Sequence, residues 1–498
     1  MLEQELKLSV EGSFAPAFPP GRSDVAGIEE LPALDLRATY YDAPDLRLAR
    51  NGVTLRCRSG EGEGPGWTVK LPAGNGIADG RDELHFDGTS RQVPEAARDV
   101  VRALLRSEGL QPVARLRTRR RRWLLRGADG AELAELVDDR VSVLERGRVV
   151  ERFREIEIEG RGLDRPALER IAGVLAGDGV ARTEETPKLV RALGERAAAP
   201  PDIPPAKRLR PRDPATEAVR GAISAGVRRM ILNDPRTRLG EVEPLHQMRV
   251  GTRRLRSDLR TFRPLLDRDW AESLRAELKW LGGSLGAVRD LDVLLERLRA
   301  EAADLSPRLD PLLEDLERRR AAARAALLAD LGSERYVQLL DRLVDAAQHP
   351  RVSGRAQGRS KDVLPPLVAR AWRRLARSAR SLRSDSPPEE FHRVRVLAKR
   401  ARYAAEAVAP ALGPQRRRAK RFAKRAAGVQ TVLGALQDSV VAAETIEGFA
   451  LEHPRDGSLN LASGRMLERE RRAMAAARAE FPRAWRRLDR RKRRSWMR

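Results

Sequence analysis

Residues 197–214 read AAAPPDIPPAKRLRPRDP, and the spacing of apolar residues changes across them. On the N-terminal side, apolar and charged residues alternate in short runs separated by Gly, Pro and Asp. On the C-terminal side, Ala, Leu and Arg recur at helical intervals over long stretches. A period of two puts side chains on opposite faces of a strand, whereas a period near 3.6 gathers them on one helix face. The 498 residues are therefore expected to fold as two regions of different class. The expected boundaries are a β-rich domain over 1–196, a proline-rich linker over 197–213 and an all-α domain over 214–498. A second break, HPRVSGRAQGRSKD (349–362), divides the helical region into halves of about 214–348 and 363–498.

Charge follows the same division. Residues 1–200 hold 32 basic and 34 acidic side chains, against 65 and 38 in the remainder, so the net charge of +25 resides in the helical region. That region is expected to attract a polyanion. The single cysteine, Cys57, excludes an intramolecular disulfide and a multi-cysteine metal site. No apolar run reaches the roughly 18 residues of a membrane helix, so the expectation is a soluble, cytoplasmic protein without a membrane partner.

In the β-rich region, strands are expected at Ala38–Tyr41, Val53–Arg58, Trp67–Leu71, Arg81–Phe86, Arg115–Leu125, Glu132–Val143 and Phe153–Glu159, after an opening strand around Glu3–Lys7. Helices are expected at Glu95–Ser107 and Pro166–Leu175. In strand after strand, the charges occupy the face without hydrophobics. Glu3, Glu5 and Lys7 share one side of the first strand, Arg56 and Arg58 one side of VTLRCR, and Glu155, Glu157 and Glu159 one side of REIEIEG. Lys70 lies opposite Trp67, Val69 and Leu71, and Arg81, Glu83 and His85 align. A solvated outer face would explain any one of these strands. Their repetition favours a barrel with charges inside and apolar backs covered by helices, since barrels of about eight strands can enclose one small ligand. Enclosed carboxylates repel unless a cation joins them, and Arg and Lys match phosphate oxygens.

The Glu3-x-Glu5-x-Lys7 start, the Arg56-x-Arg58 pair, Trp67-Thr-Val-Lys70 and the Glu155-x-Glu157-x-Glu159 strand, in that order over about residues 1–195, resemble the CYTH, or triphosphate tunnel metalloenzyme, family. The resemblance implies an eight-stranded antiparallel tunnel and hydrolysis of triphosphate compounds with Mg²⁺ or Mn²⁺. It implies Glu3, Glu5 and Lys7 as catalytic, and Glu3, Glu5, Glu155, Glu157 and Glu159 as metal ligands. Arg56, Arg58, Lys70 and Lys188 resemble the substrate contacts, with Glu83 an acid of the same lumen. In ARLRTRRRRW (114–123) arginines occupy both faces, and register favours Arg117 and Arg119 as further substrate contacts. In AELAELVDD (131–139) Glu132 and Asp138 share one parity and Glu135 and Asp139 the other. Asp138 is taken as the additional metal carboxylate.

The helical region repeats itself. HQMRVGTRRLR (246–256) returns as HRVRVLAKRAR (392–402), offset by 146, and LGAVRD (285–290) returns as LGALQD (433–438), offset by 148. On a helix, His246, Arg249, Arg253 and Arg256 form one stripe, and His392, Arg395, Lys399 and Arg402 form its copy. Met248, Leu255, Leu259 and Phe262 form a separate apolar face, so the stripe borders the core and would line a groove. Asp290 and Asp438 read as structural partners of neighbouring helices. The duplicated His-x-x-Arg pattern, over about 210–498, resembles the CHAD domain. The resemblance implies two pseudo-symmetric four-helix bundles and binding of inorganic polyphosphate by these eight residues. Lys399 departs from Arg253, Gln437 from Arg289 and Tyr403 from Ser257.

Together these resemblances imply a triphosphatase whose helical domain captures polyphosphate, in the cytoplasm or on polyphosphate granules. A non-catalytic polyphosphate-binding protein is the alternative. Generic nucleic-acid binding is a third reading, disfavoured by the few aromatics along the basic stripes, and cyclase chemistry is an outside one.

Overall fold

The computed structural model describes all residues except 1, 4, 11–13, 20–22, 63, 73–80, 176–179, 183–185, 204, 206 and 498. The chain divides into two compact units, Met1–Asp202 and Ile203–Arg498. No described helix is long and apolar enough to cross a membrane.

The first unit contains one antiparallel sheet. Its strands are β1 (Leu2–Glu3), β2 (Glu5–Val10), β3 (Gly27–Asp42), β4 (Thr54–Ser59), β5 (Gly66–Pro72), β6 (Arg81–Phe86), β7 (Gln111–Arg126), β8 (Glu132–Glu145), β9 (Arg148–Gly160) and β10 (Val180–Arg182). They are ordered β1-β6-β5-β4-β3-β7-β8-β9-β2-β10. The two ends of this order meet through the opening segment, because β1 pairs with β6 while β2, one residue further on, pairs with β9. With β1 and β2 counted as one strand and the three-residue β10 set aside, the curled sheet is the expected eight-stranded tunnel.

Apolar backs face outward, as the alternation predicts. Leu6, Leu8, Trp123, Leu125, Leu136, Ile156 and Ile158 pack under Leu168, Ile171 and Leu175. These last three come from a helix at Arg165–Leu175. The unit's helices are α1 (Arg47–Arg50), α2 (Glu95–Leu105), α3 (Arg165–Leu175), α4 (Lys188–Leu193) and α5 (Glu195–Ala198). At one end the inner face is itself apolar, where Tyr40, Leu46, Leu116, Val141 and Val143 pack with Leu189 and Ala197. The charged lumen therefore occupies only part of the length of the strands.

The second unit is helical: α6 (Ala215–Leu239), α7 (Val242–Thr261), α8 (Arg268–Glu301), α9 (Asp310–Gly332), α10 (Glu334–Gln348), α11 (Ser360–Val363), α12 (Pro365–Arg380), α13 (Pro388–Val408), α14 (Arg416–Glu452) and α15 (Gly457–Leu488). Neighbours α6–α7–α8–α9 are matched after the break by α12–α13–α14–α15, while α10 packs back on α6. The first half thus has five long helices where the resemblance implied four. A Cβ at Gly226 would collide with Leu255, so this glycine permits the close approach of α6 and α7. One core joins the halves, with Leu294, Leu295 and Leu298 of α8 meeting Ala442, Ile446 and Phe449 of α14.

Candidate active site and anion groove

The tunnel encloses a cavity of about 310 Å³ whose walls carry opposite charges. On β2 and β9, Glu5 stands opposite Glu159 and Lys7 opposite Glu157. Carboxylate oxygens of Glu5, Glu157 and Glu159 all lie within 4.8 Å of one another. Glu135 on β8 extends the row, being paired in register with Glu159. Like charges opposed across strands repel, and three hard oxygen donors this close suit a divalent ion such as Mg²⁺ or Mn²⁺. The residues present therefore fit a bound divalent metal.

The facing wall is basic. Arg56 and Arg58 come from β4, Lys70 from β5, and Arg120 and Arg122 from β7. Glu83 on β6 pairs with Lys70 and lies 3.9 Å from Arg56. Arg56 Nε is buried without a hydrogen-bond partner. Burial, with Arg56 and Arg120 adding to it against Glu61, pushes the Arg58 guanidinium down to about 10. Crowded cations of this kind attract an anion.

A buried network sits beneath. Lys7 Nζ is 2.8 Å from Glu157 and 3.4 Å from Glu155. Lys188, at the first turn of α4, is 2.8 Å from both Glu157 and Asp139 and 3.2 Å from Glu155. Arg120 forks onto Asp139 with two bonds of 2.8 Å. Burial works against the charges of Glu157, Asp139, Lys7 and Lys188, but the ion pairs outweigh it. Glu157 is held well below the ordinary carboxylate range by Lys188, Lys7 and Arg120, and Asp139 is lowered by Lys188 and Arg120. Lys7 is raised, chiefly by Glu157 and then by Glu5. Lys188 is raised by Glu157, Asp139 and Glu155.

In the helical unit, α7 and α13 bring both stripes to one groove of about 500 Å³. His246, Arg249, Arg253, His392, Arg395 and Lys399 line it, together with Arg289 and Arg297. The copies share geometry as well as sequence. Arg249 bonds Asp290 at 2.8 Å, and Arg395 reaches Asp438 at 3.9 Å. Each guanidinium lies over a glycine, since a Cβ at Gly286 would meet Arg249 at 3.6 Å and one at Gly434 would meet Arg395 at 3.8 Å. His246 Nδ1 is buried without a partner. Burial and Arg289 lower its pKa, which favours the neutral imidazole. His392 Nδ1 bonds Gln437 at 2.6 Å. Lys399 is pushed down to about 7 by burial and by Arg253, Arg395, Arg249 and Arg256.

Family models match a CYTH domain over residues 1–182 and a CHAD domain over 221–447. The chain belongs to the CYTH–CHAD family. Uncharacterized proteins from two Mycobacterium tuberculosis strains are 33% identical over 520 residues, covering 98% of this chain and 96% of their own. Among solved structures, PptA from Streptomyces chartreusis is 26% identical, with TM-score 0.47, over 55% of this chain and 100% of its own. The CHAD domain from the plant Ricinus communis is 26% identical, with TM-score 0.47, over 56% of this chain and 94% of its own.

The CYTH domain brings Glu5, Lys7, Arg56, Arg58, Lys70, Glu83, Glu157, Glu159 and Lys188 to one cavity. The backbone of Glu3 pairs with Arg81, but its side chain falls outside the described residues. Three expectations are corrected. Arg117 and Arg119 lie on the outer face, exposed, while Arg120 and Arg122 face the lumen. Asp138 also points outward, where Arg154 binds it at 2.7 Å, and Asp139 points inward. Glu155 is inside, but its carboxylate is not among the three that lie within 4.8 Å of one another. In the CHAD domain, Arg256 lines a smaller adjoining pocket with Lys399. Arg402 turns to Glu406 at 2.8 Å and is absent from the groove wall.

Sequence reasoning missed Arg120, Arg122, Glu135 and Asp139. A signal was available, because Trp123 and Leu136 mark the apolar outer parity of β7 and β8, which Arg119 and Asp138 share. It was masked by Leu116, Val141 and Val143, which put apolar residues on the inner parity as well.

Proposed function

We propose that the CYTH domain hydrolyses a phosphoanhydride bond of inorganic triphosphate or a related triphosphate, using Mg²⁺ or Mn²⁺. The CHAD groove, in this reading, binds inorganic polyphosphate. The observation that carries the proposal is the segregation of charge in one enclosed cavity, with clustered carboxylates on β2 and β9 facing arginines of β4 and β7. Such a site has a place for a cation and a place for the anion it neutralises.

A divalent ion on Glu5, Glu157 and Glu159 would supply charge neutralisation and a more acidic water. Arg56, Arg58 and Lys70 hold the phosphate oxygens, and Glu83 positions the Lys70 ammonium. Arg120, fixed by its fork onto Asp139, presents positive charge where the equatorial oxygens gather it in the transition state. Water attacks the terminal phosphorus in line, and the P–O bond of the bridging oxygen breaks. Triphosphate and water thereby give diphosphate and orthophosphate. Among the described lining residues there is no serine, cysteine or histidine to act as a covalent nucleophile. Lys7 and Lys188 maintain the ionised carboxylates.

Tethering a polymer to the CHAD groove would raise the concentration of chain ends available to the tunnel. The test is phosphate release from tripolyphosphate with Mg²⁺ or Mn²⁺. Wild-type protein should release phosphate and Glu5→Ala should not, and equal release by both would remove the metal assignment. Prolonged incubation without any release would favour a non-catalytic polyphosphate-binding protein.

A further inference from the structure

The CYTH domain carries a second concentration of positive charge outside its lumen. Arg37 of β3, Arg115, Arg117 and Arg119 of β7, Arg140 of β8 and Arg152 of β9 line a groove of about 1100 Å³ on the outer face of the sheet. All six are exposed. The run ARLRTRRRRW puts arginine on both parities of β7, and the lumen accounts for only one of them.

The register makes this face costly. Arg37 stands opposite Arg117, and Arg119 stands opposite Arg140, which in turn stands opposite Arg154. Like charges directly opposed on adjacent strands are destabilising, and here the rows cross several strands. Carboxylates relieve it in part. Asp35 bonds Arg117 at 3.0 Å, and Asp138 bonds Arg154 at 2.7 Å. Among the described residues no carboxylate lies within ion-pair distance of Arg37, Arg119, Arg140 or Arg152. A domain whose charges nearly balance overall thus concentrates arginine on one face, where Asp35, opposite Arg119 in register, and Asp138 neutralise it only in part.

The grid has the chemistry of a phosphate binder. Same-face residues recur about every 6.8 Å along a strand and about every 4.8 Å between strands, so forked guanidinium donors are presented to closely repeated anionic groups. The groove has no tyrosine or tryptophan, and its one ring, Phe153, is covered by Arg191. Base stacking, the usual grip on single-stranded nucleic acid, is therefore not provided.

We propose that this outer arginine face is a second polyanion site, on the CYTH domain itself, which binds a linear inorganic polyphosphate along its backbone oxygens. The site is separate from the lumen and does not require turnover there.

The experiment uses the full chain and labelled long-chain polyphosphate, followed by fluorescence anisotropy. In a background with Arg249→Ala, Arg253→Ala, Arg395→Ala and Lys399→Ala, polymer binding should persist. Adding Arg119→Ser, Arg140→Ser and Arg152→Ser should weaken that residual binding by roughly tenfold or more, with a shallower salt dependence. The same three substitutions should leave the melting temperature equal or higher, because they relieve repulsion, which excludes unfolding as the cause. Unchanged affinity would overturn the proposal, as would equal displacement by single-stranded DNA of matched charge. Hydrolysis of tripolyphosphate is read separately on the same proteins, so a silent tunnel would remove the catalytic reading without touching this one.

Discussion

Lys188 and Glu157 form a largely buried ion pair of 2.8 Å, joining the first turn of α4 to the C-terminal part of β9 across 31 residues of sequence. The same ammonium contacts Asp139 and Glu155, so one helix terminus joins Lys7 and Arg120 of the sheet in neutralising a cluster of acids. Removing it strands buried charge, which is far costlier than losing an exposed pair. Lys188→Met should destabilise the CYTH domain by about 3 kcal/mol, read from hydrogen exchange of β8 and β9 amides. Glu157 and Asp139 have folded pKa values below their unfolded ones. Their stabilisation is present above the ordinary carboxylate range and lost as pH falls through the depressed folded values. The gap between wild type and variant should therefore close on acidification, and a gap independent of pH would refute the assignment.

Strand parity separates arginines that composition treats alike. Arg56 faces the lumen with a buried, unpartnered Nε, whereas Arg119 is exposed on the opposite side of the wall. Arg56→Ala should lower kcat/KM for tripolyphosphate by about a hundredfold. Arg119→Ala should change it by no more than about twofold. Steady-state phosphate release checks both, and equal losses would place β7 in the wrong register.

How much of this was legible beforehand depends on the length of the lumen relative to its strands. In β4, β5 and the Glu155–Glu159 end of β9, apolar and polar residues alternate without interruption, and Arg56, Arg58, Lys70, Glu157 and Glu159 could be assigned to the lumen from sequence. β7 and β8 run on for 16 and 14 residues, past the charged cavity and into the apolar plug around Tyr40 and Leu189. Their inner parity is polar at one end and apolar at the other, so a single rule misassigns it. Lys188 was indicated by the family resemblance alone, and its partners were invisible, because they depend on where α4 docks. In the CHAD domain the duplication revealed the stripe. It could not reveal that Arg402 is captured by Glu406, because Glu406 replaces Arg260 of the first copy.

Lys399 gives the CHAD groove a pH dependence. Burial and four neighbouring arginines bring its pKa down to about 7, so it loses its proton near neutrality. A bound polyanion favours the charged form, and binding must then take up a proton above that pH. Affinity for polyphosphate should therefore fall as pH rises through about 7, and Lys399→Met should bind more weakly with a flatter profile. Calorimetric titrations in buffers of different ionisation enthalpy measure the proton directly. No uptake at pH values above the Lys399 pKa would sink this account.

Asp258 makes the opposite kind of statement, about folding and not binding. It lies on α7 with both carboxylate oxygens buried and without hydrogen-bond partners, and the Arg254 guanidinium is no closer than 3.8 Å. Burial raises its pKa to about 8, against the pull of Arg254 and with Glu406 adding to the rise. A carboxyl whose folded pKa exceeds its unfolded one stabilises the fold below the unfolded value, and that contribution is lost as pH rises toward the folded value. The wild-type CHAD domain should thus weaken progressively from mildly acidic to mildly alkaline pH. The duplicate helix has Ala404 at this position, so an uncharged side chain is compatible with the packing. Asp258→Asn and Asp258→Ala should both flatten the dependence of the melting temperature on pH, and both should melt a few degrees above wild type at alkaline pH. Parallel curves for wild type and both variants would mean that Asp258 finds a proton donor or water that keeps it ionised, and the buried neutral carboxyl would have to be abandoned.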